Sequence, residues 1–448
     1  METTWTPSSW RSRPTQQQPD WPSEEALADA MDQLREMPPL VFAGEARALQ
    51  GALARAARGE AFVLQAGDCA ESFDDFSADS IRDKLKILLQ MAVVLTYGSG
   101  LPVVKVGRIA GQFAKPRSAP MERRQGVELP SFRGHAVNDS PFDPRSRRAD
   151  PQRMVRSYHQ SAATLNLIRA FTKGGFADLT RIHEWNQEFV AQSRQGERYE
   201  AVARQIDRSL RFMAACGVDF RAGSALHEVD LFTSHEALLL GFEEALTRVD
   251  SLTGDWYCCS AHLLWVGERT RDPQGAHVEF LSGIGNPVAS KLGPTATVEE
   301  VLELCERLDP DRSPGRLTFI TRMGADRVEE KLPQLLRAVR DAGREVLWIC
   351  DPMHANTFVT DSGYKTRRFE AILKEIKGFF AAHAAEGTRP GGVHLELTHH
   401  AVTECLGGVE AVLDAQLKDR YEALCDPRLN ARQSLDLAFD LAEMLQGA

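Results

Sequence analysis

The sequence predicts an α/β fold: a (β/α)8 TIM barrel with an N-terminal extension and a long helical insertion after the second strand. Three observations carry this expectation. Eight apolar, strand-like runs follow one another, most are separated by helical patterns, and a chemically active side chain falls at the end of nearly every run. A doubly wound open sheet is the alternative that the same alternation allows. At 448 residues the chain suits one elaborated barrel as readily as two domains.

The runs, in order, are AFVLQAG (61–67), LPVVKVG (101–107), ALHEVDL (225–231), WYCCSAHLLWVG (256–267), HVEFLSGIG (277–285), LTFITRM (317–323), VLWICDP (346–352) and GVHLELT (392–398). The segments TVEEVLELCERL (297–308), RVEEKLPQLLRAVRDAG (327–343) and RRFEAILKEIKGFFAAHAAEG (367–387) read as helices between strands. Two more helices, SEEALADAMDQLREM (23–37) and EARALQGALARAARG (45–59), precede the first strand. Between the second and third runs lie loops rich in Arg, Pro and Gly (114–153) and two helical stretches, 154–171 and 199–217. An insertion of that length usually serves subunit contacts, regulation or substrate capping. The chain therefore divides into an arm with helices, 1–59, and a catalytic barrel, 60–448, with an insertion at about 114–220.

A net charge of −10 argues against a general nucleic-acid binder, although a local pocket of Arg and Lys can still attract anions. Eight cysteines are scattered without a signal peptide, which favours free thiols and a cytoplasmic location. No run of about 18 apolar residues is available to cross a membrane. The first 22 residues are Ser/Thr/Arg-rich and poor in acids, but Pro7, Pro14 and Pro19 would break the amphipathic helix of a transit peptide. This segment reads as an extended arm whose Trp5, Trp10 and Trp21 pack on the body or meet another subunit; a disordered tail is the alternative.

The strand ends carry the chemistry. Cys69 follows the first run, His354 the seventh, Glu396 sits in the eighth, and Asp426 comes further on. One thiolate, one imidazole and two carboxylates form a ligand set for a single divalent transition metal. Arg108, Arg269, Lys291 and Arg322 would place four cations around one mouth, a cost that only a polyanionic ligand removes. Guanidinium forks and a Lys point charge suit a phosphate and a carboxylate on one small molecule.

The segments QAGDCAESF, VVKVGRIAGQFAKPRS, LWVGERT, NPVASKLGP, ITRMGAD, CDPMHANT, HLELTHH and CDPRLN resemble those of the type II, or plant-like, 3-deoxy-D-arabino-heptulosonate 7-phosphate (DAHP) synthases, in order and over nearly the whole chain. The resemblance implies a metal-dependent barrel that condenses phosphoenolpyruvate with erythrose 4-phosphate, the first step of the shikimate pathway. It implies Cys69, His354, Glu396 and Asp426 as ligands of one Mn2+ or Co2+. Arg108, Glu268, Arg269, Lys291 and Arg322 would hold phosphoenolpyruvate, with Trp265 lining the site, and Lys115, Pro116, Arg117 and Ser118 would contact erythrose 4-phosphate. Lys291, Arg108, Glu268 and His354 are the catalytic candidates, with Lys291 or a water at the metal moving protons. Family members also suggest a redox pair of Cys69 with Cys425, feedback by tryptophan or phenylalanine, and a homo-oligomer (dimer or tetramer). By analogy, a chorismate mutase is a candidate partner.

One departure is His135 in FRGHAVND, where relatives usually show Asp. The same residues allow other readings. A different phosphoenolpyruvate-using barrel aldolase, a metal-dependent hydrolase and a non-catalytic regulatory relative are the competing functions; two phosphate cradles disfavour the hydrolase and four intact ligands the last. His235 and Glu236 lack the second His of a HExxH zinc motif. GIGNPV lacks the third Gly of a dinucleotide loop. His399 and His400 are expected to play supporting roles, because neighbours on a strand face opposite ways.

Overall fold

The structure is a computed structural model describing residues 5–173, 179–192, 196–216 and 230–446. Eight parallel strands close a barrel in sequential order: β1 (Phe62–Gly67), β2 (Val103–Arg108), β3 (Leu231–Glu236), β4 (Leu263–Val266), β5 (Val288–Leu292), β6 (Leu317–Thr321), β7 (Leu347–Cys350) and β8 (Gly392–Glu396). Closure is made by β1 against β8, in a register that sets Gly67 beside Glu396. On its other edge Gly67 lies beside Arg108 of β2. The open sheet is thereby excluded.

Alternation along each strand divides the barrel's contents. Phe62, Leu64 and Ala66 of β1, with Val393 and Leu395 of β8, face outward into the helix-packed core. Val63, Val106, Leu263, Ile320 and Leu347 face inward and form a separate apolar cluster. Towards the C-terminal ends of the strands the inward positions turn polar: Gln65, Arg108, Lys291, His394 and Glu396 are all buried. The barrel is thus apolar below and ionic above, and the upper end is where barrels of this kind carry their sites.

Helices account for the rest. α1 (Glu24–Glu36) starts where the Ser23 hydroxyl accepts from the Ala26 N–H at 3.1 Å. α2 (Ala43–Ala57) buries Leu49 and Leu53 in the inner apolar cluster. α3 (Ala78–Ser99), between β1 and β2, was not foreseen from the sequence. The insertion holds a hairpin of Met121–Arg124 with Val127–Pro130, then α4 (Gln152–Lys173), α5 (Leu179–Gln192) and α6 (Gly196–Ala215). The expected insertion helices correspond to α4 and α6, and α5 is additional. The arm packs on the body: Trp5 donates from Nε1 to the Glu279 carbonyl, Trp10 from Nε1 to Glu244, both at 2.9 Å, and Trp21 packs against the core.

Three strand expectations need correction. The third run, 225–231, lies mostly outside the described residues, and the barrel strand is the following LFTSHE, leading into α7 (Leu240–Ala245). The fourth splits: Trp256–Cys258 pairs antiparallel with Thr247–Val249, and only Leu263–Val266 enters the barrel. The fifth is α8 (Ala276–Ser282), a helix whose Ala276, His277, Val278, Phe280 and Leu281 are all buried, so no polar stripe betrays its period. The barrel strand there is VASKL, the segment holding Lys291. The remaining helices, α9 (Val298–Leu308), α10 (Val328–Asp341) and α11 (Phe369–Glu386), match expectation; α12 (Ala431–Gln446), unforeseen, packs against α3.

Gly67 lets β1 and β2 approach at the edge of the site. A Cβ there would stand 2.5 Å from the Arg108 carbonyl oxygen, with the backbone at φ +152°. Gly67→Ala should lower the urea-unfolding free energy by about 1–3 kcal/mol. Gly51→Ala, in α2 with nothing within 4 Å of the added carbon, should instead be neutral or stabilising by up to about 1 kcal/mol.

Candidate active site

The polar end of the barrel is organised around one carboxylate. Glu396, the last residue of β8, is fully buried and accepts from Arg108 Nη2 at 3.0 Å and Lys115 Nζ at 2.9 Å on Oε1, and from Arg367 Nη2 at 2.9 Å on Oε2. His354 Nε2 lies 3.0 Å from the same Oε1. Burial by itself would favour the neutral acid, but His354, Lys115 and Arg367 outweigh it and hold Glu396 well below the usual carboxylate range.

Cys69, in the loop after β1, meets this group. A Cys69 sulfur and oxygens of Glu396 and Asp426 lie within 4.8 Å of one another. Cys69 Sγ accepts from the Asp426 N–H at 3.3 Å, and Lys115 Nζ also reaches Asp426 Oδ2 at 2.9 Å. Lys365 pairs with the other Asp426 oxygen. Burial pushes the Cys69 thiol up, reinforced by a hydrogen bond with Cys425 and by the Glu396 charge; Lys115 opposes. Cys425 and Cys69 are both free thiols.

His354 is oriented by Asp351, a residue the sequence reading quoted but gave no role. The His354 Nδ1–H donates to Asp351 Oδ2 at 2.7 Å, which turns Nε2 towards Glu396. Lys291 Nζ donates to the same Asp351 oxygen at 2.7 Å and lies 3.3 Å from His354 Nδ1. Burial lowers the Lys291 ammonium, and Asp351 offsets it in part. The four expected metal-binding residues are therefore brought together, and their chemistry fits a borderline divalent ion: a sulfur, two carboxylates and an imidazole nitrogen whose other nitrogen is held by a carboxylate.

Arg108 and Trp265 sit deeper than expected. Arg108 is buried and donates to the carbonyls of Asp68 (3.0 Å) and Cys69 (3.2 Å) as well as to Glu396. Its Nη1 lies 2.6 Å from His394 Nε2. A guanidinium only donates, so that nitrogen accepts and Nδ1–H donates to Gln65 Oε1 at 2.8 Å, fixing His394 as the neutral ring. Trp265 lies under the guanidinium, its ring centroid 5.3 Å from the Arg108 carbon. Neither residue lines the cavity above.

That cavity, about 170 Å³, is walled by residues 115–118, Gly267, Glu268, Arg269, Lys291, Arg322 and His354, together with Glu236, Thr357, Lys365 and Asp426. Its cations fall into two groups. Lys115, Lys291 and Lys365 are ion-paired to acids. The side chains of Arg117, Arg269 and Arg322 have no acidic partner among the described residues; Arg269 only donates to the Ser118 hydroxyl at 3.2 Å. Glu268 accepts from Arg271 Nη2 at 3.3 Å, and its Oε2 is buried without a partner.

From the sequence Glu236 reads only as part of an incomplete HExxH motif, and the structure gives it a place in the cavity wall. It ends β3, its Oε1 is buried without a partner, and Gly267 leaves the room it fills, since a Cβ there would collide with that oxygen. Burial raises its carboxyl, with Lys291, Lys115, His354 and Arg108 pulling the other way. The departure at His135 is absorbed locally: its Nδ1 accepts from the Phe73 N–H at 2.9 Å while the ring stacks on Phe73.

With β3 to β7 and the loops after β2 and β8 all reaching one cavity, the molecule is of the (β/α)8-barrel enzyme class. Within that class the chain belongs to the Class-II DAHP synthetase family, whose pattern it matches over residues 5–442. It is 57% identical over 437 residues to the phospho-2-dehydro-3-deoxyheptonate aldolase of Streptomyces coelicolor, covering 98% of this chain and 96% of that one. It is 50% identical over 440 residues to the phospho-2-dehydro-3-deoxyheptonate aldolase AroG of Mycolicibacterium smegmatis, covering 97% and 93%. A solved phospho-2-dehydro-3-deoxyheptonate aldolase from Francisella tularensis SCHU S4 is similar at 12% identity and a TM-score of 0.47, over 93% of this chain and 96% of that one.

Arg367 is fully buried and is the sole described side-chain donor to Glu396 Oε2. Removing it strands a buried charge, so Arg367→Met should cost about 3–5 kcal/mol in chemical denaturation.

Proposed function

We propose that this protein condenses phosphoenolpyruvate with erythrose 4-phosphate to give DAHP and inorganic phosphate, opening the shikimate route to aromatic amino acids. The observation that carries the reading is the set of three guanidiniums, of Arg117, Arg269 and Arg322, which face one cavity and have no acidic partner among the described residues. Two phosphorylated substrates would supply the missing anions. Membership of the family supports these two substrates, and a hydrolase would not require two such cradles.

The residues divide the work by position. Arg322, Arg269 and Lys291 are assigned to the phosphate and carboxylate of phosphoenolpyruvate, with Glu268 beside them; Lys115, Pro116, Arg117 and Ser118 are assigned to the aldose phosphate. Holding both ligands rigidly supplies proximity, on the order of 7 kcal/mol or more of barrier in favourable cases. A divalent ion, Mn2+ or Co2+ by family, held by Cys69, His354, Glu396 and Asp426, would supply Lewis acidity at a carbonyl oxygen.

The methylene carbon of phosphoenolpyruvate forms the new bond to the aldehyde carbon. The resulting alkoxide takes a proton, water adds at the carbon bearing the phosphate ester, and phosphate leaves. Lys291 is the proton donor of choice, since burial weakens its hold on the proton at Nζ. Glu236, with a raised carboxyl facing the cavity, is a second proton carrier. Arg108 and Trp265 act from below by fixing Glu396 and Lys291 rather than by touching substrate.

Further properties carry over from the family resemblance. They are an aromatic amino-acid effector (tryptophan or phenylalanine), a homo-oligomer and a chorismate mutase partner. The insertion would serve these contacts. A cytoplasmic location agrees with there being, among the described residues, no helix long and apolar enough to cross a membrane. The hydrogen-bonded Cys69 and Cys425 are a proposed switch: a peroxide would remove two electrons and two protons, form the disulfide and withdraw one ligand. Peroxide-treated protein should then lose two free thiols and its turnover, both restored by dithiothreitol.

Loss of phosphoenolpyruvate with Mn2+ should require erythrose 4-phosphate and stop on adding a chelator; aldose-independent loss, or none, rejects the reading. Cys69→Ser should lower turnover by more than about 100-fold. Arg322→Met should raise KM for phosphoenolpyruvate by about 10- to 100-fold, the worth of a hydrogen bond to a charged group.

A further inference from the structure

Beside the Cys69 cluster lies a second constellation that the reaction does not use. β8 ends at Glu396, and the chain bends at 399–400, so His399 and His400 do not project to opposite faces as strand neighbours would. Their rings instead lie together, centroids 3.9 Å apart at 38°. The opposite-face arrangement expected of strand neighbours is therefore not adopted here. Asp75, from the loop before α3, completes the group: one ligand atom from each of Asp75, His399 and His400 falls within 4.8 Å of the others.

We propose that Asp75, His399 and His400 form a second divalent-metal site, suited to a borderline ion such as Zn2+ or Co2+. Two imidazoles and a carboxylate are a donor set such ions favour, and three protein ligands leave a position open for water. His400 Nε2 stands 3.6 Å from Asp75 Oδ1. This is near the roughly 3.3 Å that separates two ligands of one tetrahedral ion with bonds of about 2.05 Å. Lys84 Nζ is ion-paired with Asp75 Oδ2 at 3.0 Å and with Asp68 Oδ2 at 2.8 Å, which steadies the carboxylate while leaving Oδ1 to the histidines. His399 Nδ1 is buried and has no hydrogen-bond partner among the described residues. Asp75 and His400 share a cavity wall with Cys69, Cys425 and Asp426, so an ion held there would sit at the approach to the first cluster. The inference stands apart from the reaction proposed above.

Cobalt distinguishes the two sites. A thiolate-bound Co2+ shows a sulfur-to-metal charge-transfer band in the near ultraviolet, whereas a histidine and carboxylate site shows only ligand-field bands. Chelator-stripped full-length protein, titrated with CoCl2 and followed by absorption and metal analysis, should bind two equivalents, one with the charge-transfer band and one without. His399→Ala/His400→Ala, checked for folding by circular dichroism, should bind one equivalent and keep the band. His400→Gln, a milder change, should also lose the second equivalent. Cys69→Ser should lose the band and keep the histidine-bound cobalt. One equivalent in the unaltered protein, carrying the charge-transfer band and indifferent to both histidine variants, overturns the proposal, as does a second equivalent that survives them. Histidine-dependent cobalt with no charge-transfer band in any form would uphold this site while refuting Cys69 as a ligand.

Discussion

The upper half of the barrel depends on the buried charge of Glu396. A carboxylate with no exposure to water is stable only if its lone pairs are answered, and here Arg108, Lys115 and Arg367 answer them while His354 stands beside it. These partners come from β2, the loop after it, the segment leading into α11 and the loop after β7. One anion thus sets the positions of four side chains from separate parts of the chain. The same logic recurs at Asp351, which answers Lys291 and His354 together.

Around this paired interior lies a second tier whose charges have no acidic partner among the described residues. Arg117 and Arg322 are half-buried and Arg269 is exposed, so water can solvate them without the penalty that Arg108 or Arg367 would suffer alone. Unpaired cations at the mouth create a positive local field in a chain of net charge −10, since a cleft focuses the charges that line it. The deeper residues build the site and the outer ones are available to ligands. Arg108, expected among the outer group, belongs to the inner one.

Most of this was legible in the sequence because barrel strands declare themselves as short apolar runs and their ends carry unusual polar residues. Seven runs overlap barrel strands in the expected order, although the third does so only at Leu231 and the fourth only at its end. Where legibility failed, the cause was physical. α8 is buried on nearly every side and has no polar face to show its period. β3 carries Thr233, Ser234, His235 and Glu236, all buried, which made it look like a loop. Its displacement hid the place of Glu236 in the site, and the two histidines after β8 lie side by side rather than on opposite faces because the strand has already ended there, which a sequence does not show. Asp351 was invisible for another reason: a residue that holds a ligand by its far nitrogen is recognisable only once the ring's direction is known.

Cys69 and Asp426 are 357 residues apart, and they follow the first and last strands of the barrel. Their contact can exist only after the ring of strands has shut, so this cluster is also a clasp on the seam between β1 and β8. Holding ends so far apart in sequence carries a loop-closure entropy that grows only slowly with length. A cation bound among these donors would favour the closed chain by mass action. The ligand set would then record whether folding had finished: a chain whose seam is open has no metal centre to offer.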